Sequence, residues 1–227
     1  MDIKDITGGL WDVISSVFAE AKYVKEVLLA VGAVALLGGG FWGYRLYVAS
    51  REQKAQKVFS AAMEEYDRNV QTKNPQWDDI ALLFKLGYEQ NSGSQMAPYF
   101  LMKQVDAMLE DGKKEEVLPI IDQAIDLMSS SSPLINLYKT KRSLILLEQG
   151  DKQLQAAGFA ALQELAQDKD NLHRDYAGFH LGQYYLSRGE YDNARETWQA
   201  VVAQQDYDRP PLSPWAEKAR LLLPSIL

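Results

Sequence analysis

The sequence predicts an all-α protein: an N-terminal transmembrane helix, then an α-solenoid of helical hairpins, then a C-terminal capping helix. Three observations carry that prediction. Val27 to Tyr44 is a run of 18 residues without a charge. After Arg51, apolar residues recur at helical spacing, and no stretch alternates with the period of two that a half-buried strand needs. The helix-breaking Gly112, Gly150 and Gly189 stand 38 and 39 residues apart, a period in the range that stacked helical hairpins produce.

Residues 1–26 open the chain with an amphipathic segment. Leu10, Val13, Ile14, Val17, Ala21 and Val24 repeat at helical spacing, while Asp12, Ser15, Ser16, Glu20 and Lys22 occupy the rest of the wheel. Such a helix lies on a membrane surface, docks a partner, or simply leads into the next element.

Residues 27–50 form the expected membrane span. At about 1.5 Å per residue, its uncharged core reaches roughly 27 Å, close to the roughly 30 Å hydrocarbon thickness of a bilayer. Arg45 is placed to snorkel to the headgroups beside an aromatic belt of Trp42, Tyr44 and Tyr47. A cleaved leader usually has a basic start and a shorter apolar stretch, unlike the mildly acidic 26 residues here. Within the span, Ala35, Gly39 and Gly43 fall at i, i+4 and i+8, a small-residue stripe that lets a second membrane helix approach closely. Lys4, Lys22 and Lys25 precede the span and Arg45, Arg51, Lys54 and Lys57 follow it, a slight bias toward a cytoplasmic C-terminal side that long domains override.

Residues 51–227 form the repeat domain. Turn-forming clusters divide it into nine expected helices, at 51–72, 77–90, 96–111, 114–129, 133–149, 152–168, 172–188, 190–205 and 214–224. Pro119 is expected to kink the fourth. Ser213 and Pro214 suit the N-cap and first position of the last helix.

The hairpin around Gly189 carries a specific pattern. In DYAGFHLGQYYLSRGEYDNARETWQAVV, Leu181-Gly182 and Tyr185 lie on the first helix, Gly189 and Tyr191 at the turn, and Ala194, Trp198 and Val201 on the second. This resembles a tetratricopeptide repeat. Small Gly182 and Ala194 sit where the helices cross, while Leu181, Tyr185 and Trp198 fill the space between them. The hairpins around Gly112 and Gly150 keep the length and turn but lose those small residues, as degenerate copies.

With the FKLGYEQNSGSQMAPYFLMKQVDAMLEDGKKEEVLPII stretch from Phe84 to Ile121, the whole arrangement resembles the bacterial YfgM-like family of tetratricopeptide membrane proteins. The resemblance implies a single-pass inner-membrane protein with a cytoplasmic N-terminus and a periplasmic domain, acting beside the Sec translocon with a periplasmic chaperone. The amphipathic opening segment departs from the polar one expected of that family.

Composition narrows the function. The 227 residues hold 31 Asp+Glu against 24 Lys+Arg and no cysteine. Before Ser50 there are 4 basic and 5 acidic residues, so the rest carries 20 and 26, a net −6. An acidic body argues against nucleic acid, which needs a basic stripe. The absence of cysteine excludes disulfides, thiolate metal sites and cysteine nucleophiles. No phosphate loop, nucleophile elbow or zinc-protease helix occurs, and the triple glycine at 38–40 lies in the apolar helix rather than after a strand. His173 and His180 have no third ligand at a fixed spacing, and Asp168, Asp170 and Asp175 read as a solvated loop. The expectation is a non-enzymatic protein without cofactor, metal or small-molecule substrate.

A stack of hairpins presents an inner face lined by the first helix of each pair. In the best repeat the corresponding positions are Tyr176, Phe179, Gln183, Leu186 and Ser187, with Tyr99, Lys103 and Tyr138 contributing from earlier repeats. These residues are the expected partner-binding groove, suited to apolar or helical segments of another protein. The opposing expectation for Phe179 and Leu186 is burial against the capping helix. Two functions follow: a membrane-tethered adaptor at an export channel, or a structural scaffold subunit of a larger envelope complex.

Overall fold

The computed structural model describes the backbone of residues 21–204 and 213–226, and side chains from residue 28 onward. Among the described residues there are nine α-helices and no strand. They are α1 (Ala21–Val70), α2 (Trp77–Asn91), α3 (Ala97–Glu110), α4 (Leu118–Leu127), α5 (Ile135–Leu147), α6 (Lys152–Gln167), α7 (Arg174–Ser187), α8 (Tyr191–Ala203) and α9 (Pro214–Leu222), followed by a 3₁₀ turn at Leu223–Ile226. The chain divides into two units, residues 1–54 and 55–227.

In the first unit, the expected span and the first repeat helix are parts of one continuous helix, α1, rather than separate elements. No proline or turn cluster interrupts the sequence between Tyr44 and Val70, so the backbone has no local reason to break there. The apolar side chains from Leu28 to Tyr47 are exposed on all sides. This helix is long and apolar enough to cross a membrane. Side chains added at Gly39 or Gly43 would meet no atom of this chain within 4 Å, so the small-residue stripe packs against nothing described here. The amphipathic face from Leu10 to Val24 lies outside the described side chains.

The second unit is a series of antiparallel helix pairs. Its main core joins Ala62 of α1, Phe84 of α2, Phe100, Met102 and Val105 of α3, and Ile121 of α4. Two smaller clusters follow, one at the α6–α7 crossing around Leu162 and Leu181, and one around Trp198 where α7, α8 and α9 meet. Each helix thus buries its stripe against neighbours rather than within itself.

Glycines set the closest crossings. A Cβ at Gly182 would stand 2.2 Å from Trp198 Nε1, one at Gly158 2.8 Å from the Ser143 carbonyl oxygen, and one at Gly87 2.4 Å from the Phe100 ring. The earlier hairpins therefore do keep a small residue at the crossing, but at a different register from the best repeat. Turns after α3 and α7 use Gly112 (φ 81°) and Gly189 (φ 75°) in the left-handed region.

Two local expectations are modified. Pro119 does not kink a helix but occupies the first turn of α4, because residues 114–117 form turns instead. Ser213 does cap α9: its Oγ accepts from the backbone N–H groups of Trp215 (3.1 Å) and Ala216 (3.4 Å) while its hydroxyl donates to Asp175 of α7. The cap thereby also ties α9 to the preceding hairpin.

Polar ties recur between neighbouring pairs at separations near the repeat length. Lys113 pairs with Asp78, Lys141 with Asp106, and Gln123 Nε2 donates to Tyr88 Oη at 2.9 Å. Each joins residues 35 positions apart. His173 Nε2 lies 3.0 Å from the Pro133 carbonyl, linking two inter-repeat loops.

A tyrosine-lined inner face

The odd-numbered helices of the repeat domain bring one set of aromatic residues together. Tyr99, Tyr138, Tyr176 and Trp215 lie on α3, α5, α7 and α9 at spacings of 39, 38 and 39 residues. They occupy one register of the repeat. Tyr66 of α1 joins them at the other end, with Lys103 Nζ 5.0 Å from its ring centroid.

Asp106 is the electrostatic centre. Its carboxylate accepts from Lys103 Nζ at 3.1 Å and from Lys141 Nζ, so two helices share one anion. Burial pushes the Tyr138 phenol up to about 12, with further contributions from Asp106 and Tyr99. Burial and then Asp106 also raise Tyr176, and burial, Asp106, Glu110 and Asp67 raise Tyr66. Three phenols on three helices therefore feel one carboxylate, which places Tyr66, Tyr138 and Tyr176 around it.

At the capping end, Tyr176 packs 4.7 Å from both Trp215 and His180, ring centroid to centroid. Lys218 Nζ sits 4.3 Å from the Trp215 centroid. His180 is half-buried among these rings, and burial holds its pKa below the usual imidazole value; Lys218 acts in the same direction and a hydrogen bond to Gln183 opposes it. Its surroundings make it an aromatic packing partner rather than an exposed imidazole. Among the described residues no three His, Cys, Asp or Glu side chains are grouped to hold a metal ion.

The other expected groove residues divide. Gln183 and Ser187 line an open cleft of about 560 Å³ between α5 and α7, together with Leu144, Leu147 and Tyr184. Leu186 is half-buried and packs on the Trp198 cluster. Phe179 is 4% exposed and packs between Trp198 and Trp215, which corrects its placement in the groove. It points into the crossing because the α9 cap covers that side of α7, the opposing expectation at this position.

Sequence reasoning missed Trp215, Tyr66, Asp106 and Lys141. Trp215 was accessible through the repeat period itself, being 39 residues beyond Tyr176. Asp106 and Lys141 had no local signal, since charged residues on a helix usually read as a solvated face.

The fold has counterparts among solved structures. Crystal structures of nearly identical TPR-like repeats from a Podosopora anserina kinesin light chain superimpose with TM-scores of 0.50 and, for a point variant of those repeats, 0.51, at 14% identity in both cases. The matches cover 79% of this chain and 85% or 84% of those chains. The repeat domain is thus a tetratricopeptide-like helical solenoid. No family model and no curated protein matches the sequence.

Proposed function

We propose that this protein is a non-enzymatic, membrane-anchored adaptor that binds protein partners on the inner face of its repeat domain. The carrying observation is the register of Tyr99, Tyr138, Tyr176 and Trp215, which gathers large, partly exposed rings from four helices around Asp106. Rings of this kind supply contact area at low conformational cost and are enriched where proteins bind one another. Residues 27–50 are the anchor, residues 1–26 precede it, and residues 51–227 form the binding domain.

The resemblance to the YfgM-like family supports a finer assignment. The protein is anchored in the bacterial inner membrane with its repeat domain in the periplasm, beside the Sec translocon, where tethering raises the local concentration of a chaperone or secretory client. In-cell photocrosslinking from Gln183, an exposed residue of the inner cleft, tests this assignment. Crosslinks to translocon subunits, a periplasmic chaperone or secretory proteins are expected. Recovery of the intact chain from the soluble fraction would defeat the anchoring.

The alternative is a scaffold subunit of an envelope complex, favoured by the Ala35, Gly39 and Gly43 stripe that packs on nothing in this chain. It predicts that Gly39→Leu dissociates a complex that Tyr138→Ala leaves intact. The adaptor predicts the reverse for partner capture.

A further inference from the structure

The four inner-face tyrosines share a property that Tyr88 and Tyr185 lack. Tyr88 Oη and Tyr185 Oη accept hydrogen bonds from Gln123 and Gln163 at 2.9 and 3.0 Å. The hydroxyls of Tyr66, Tyr99, Tyr138 and Tyr176 have no protein partner among the described residues, and none is among the fully buried unpaired polar atoms, so all keep contact with solvent. Four free donors face a groove whose principal acceptor, Asp106, is already occupied by Lys103 and Lys141. The complementary ligand is rich in unpaired acceptors.

Their spacing narrows its shape. Packed neighbouring helices lie about 8–10 Å apart, and each inner helix from α3 to α9 contributes one ring in register. A polyproline II strand rises about 3.1 Å per residue with three residues per turn, so it advances roughly 9 Å per turn. One ring therefore meets every third residue. That conformation makes no internal hydrogen bonds, which leaves its carbonyls free to accept from the phenols.

Charge gives the segment a polarity. The Tyr66 end carries Asp67 and Glu110 close enough to raise its phenol, whereas the Trp215 end carries Lys218. Resting on the partner-binding role assigned above, we propose that the inner face holds an extended proline-rich segment of a partner protein. Its prolyl rings lie against the register of aromatic side chains, its carbonyls accept from the tyrosine hydroxyls, and an acidic residue sits at the Lys218 end.

The test is fluorescence anisotropy of a labelled peptide of nine prolines and two terminal aspartates, titrated with the full chain in detergent micelles. Saturable binding is expected, with none for a peptide in which alternating glycine and serine replace the prolines. Tyr99→Phe, Tyr138→Phe and Tyr176→Phe together keep the rings and remove only hydroxyls without protein partners, so the variant should fold. It should bind about tenfold more weakly or worse, at a contribution of about twofold or more per hydrogen bond. Tyr88→Phe with Tyr185→Phe should leave binding unchanged. Absence of saturable binding, equal binding of both peptides, or an unaffected triple variant would overturn the proposal. If the proline peptide fails while crosslinks from Gln183 still form, the proline-rich ligand alone is wrong; if both fail, the groove itself is not the binding surface.

Discussion

The indole Nε1–H of Trp198 donates a 3.0 Å hydrogen bond to the backbone carbonyl of Phe179. This bond crosses from α8 to α7 at the point where Gly182 leaves room for the indole. Trp198 is fully buried, and a buried indole N–H without an acceptor would be costly. The absence of a side chain at Gly182 is thus what allows the largest residue of this core to be both packed and hydrogen-bonded.

Gly182→Ala is expected to destabilise the domain by about 1–3 kcal/mol, although alanine is the better helix former by about 1 kcal/mol. The added Cβ would stand 2.2 to 2.8 Å from rigid indole atoms, which cannot swing away as a flexible chain end would. Urea denaturation checks this against Ser187→Ala, an exposed position on the same helix. Equal stability of the two variants would show that the crossing is looser than described.

Asp106 holds lysines from two helices, so its loss should couple to theirs. Asp106→Asn should cost about 1 kcal/mol, and Lys141→Met on that background should cost less than it does alone. A double-mutant cycle measures the difference, and strict additivity would mean that Lys141 and Asp106 do not interact in solution.

His180 gives the domain an acid-sensitive contribution. Its folded pKa is lowered by burial, so below its unfolded value of about 6.5 the unfolded chain binds the proton first. Stability from this group is complete above that pH and falls as the pH drops toward the folded value. The loss on acidification from about pH 7 to 5 should therefore be smaller in His180→Gln than in the unaltered chain, as read by thermal denaturation at each pH. Parallel profiles would exclude the effect.

Ser213 both caps α9 and donates to Asp175. Ser213→Ala should cost about 1–2 kcal/mol, toward the upper end for an N-cap because the tie to α7 is lost as well. Amide exchange in α9 should rise relative to α3, whose core is separate. Uniform change in both helices would mean that α9 has no independent fraying.

In the alkaline range, Tyr138 should act in the opposite sense to His180. Its phenol is held near 12 against an ordinary value of 10.0, so the stability it contributes is complete below about pH 10 and lost as the pH rises toward about 12. Tyr138→Phe should flatten that alkaline decline, and an unchanged decline would mean that the phenol is better solvated than its packing implies.

Much of this architecture was written in local patterns. Helical spacing, turn clusters at Asn74-Pro75, Gly112, Gly150 and Gly189, and the Ser213-Pro214 cap act over a few residues, so the chain alone determined nine helical segments, their order and the hairpin period. The uncharged run at Val27–Tyr44 likewise needs no tertiary context to be recognised. Three of the aromatic residues on the inner face, Tyr99, Tyr138 and Tyr176, followed from that same period.

Tertiary structure decided what local patterns do not encode. Whether Phe179 faces a groove or a core depends on α9 packing over α7, a contact between segments more than 30 residues apart. Whether Lys141 is a solvated charge or a partner of Asp106 depends on how α3 and α5 lie side by side. Backbone hydrogen bonds and side-chain spacing are set within a few residues, so helices are legible in sequence. Burial and charge pairing are set by which faces meet, and only the stacked helices determine that.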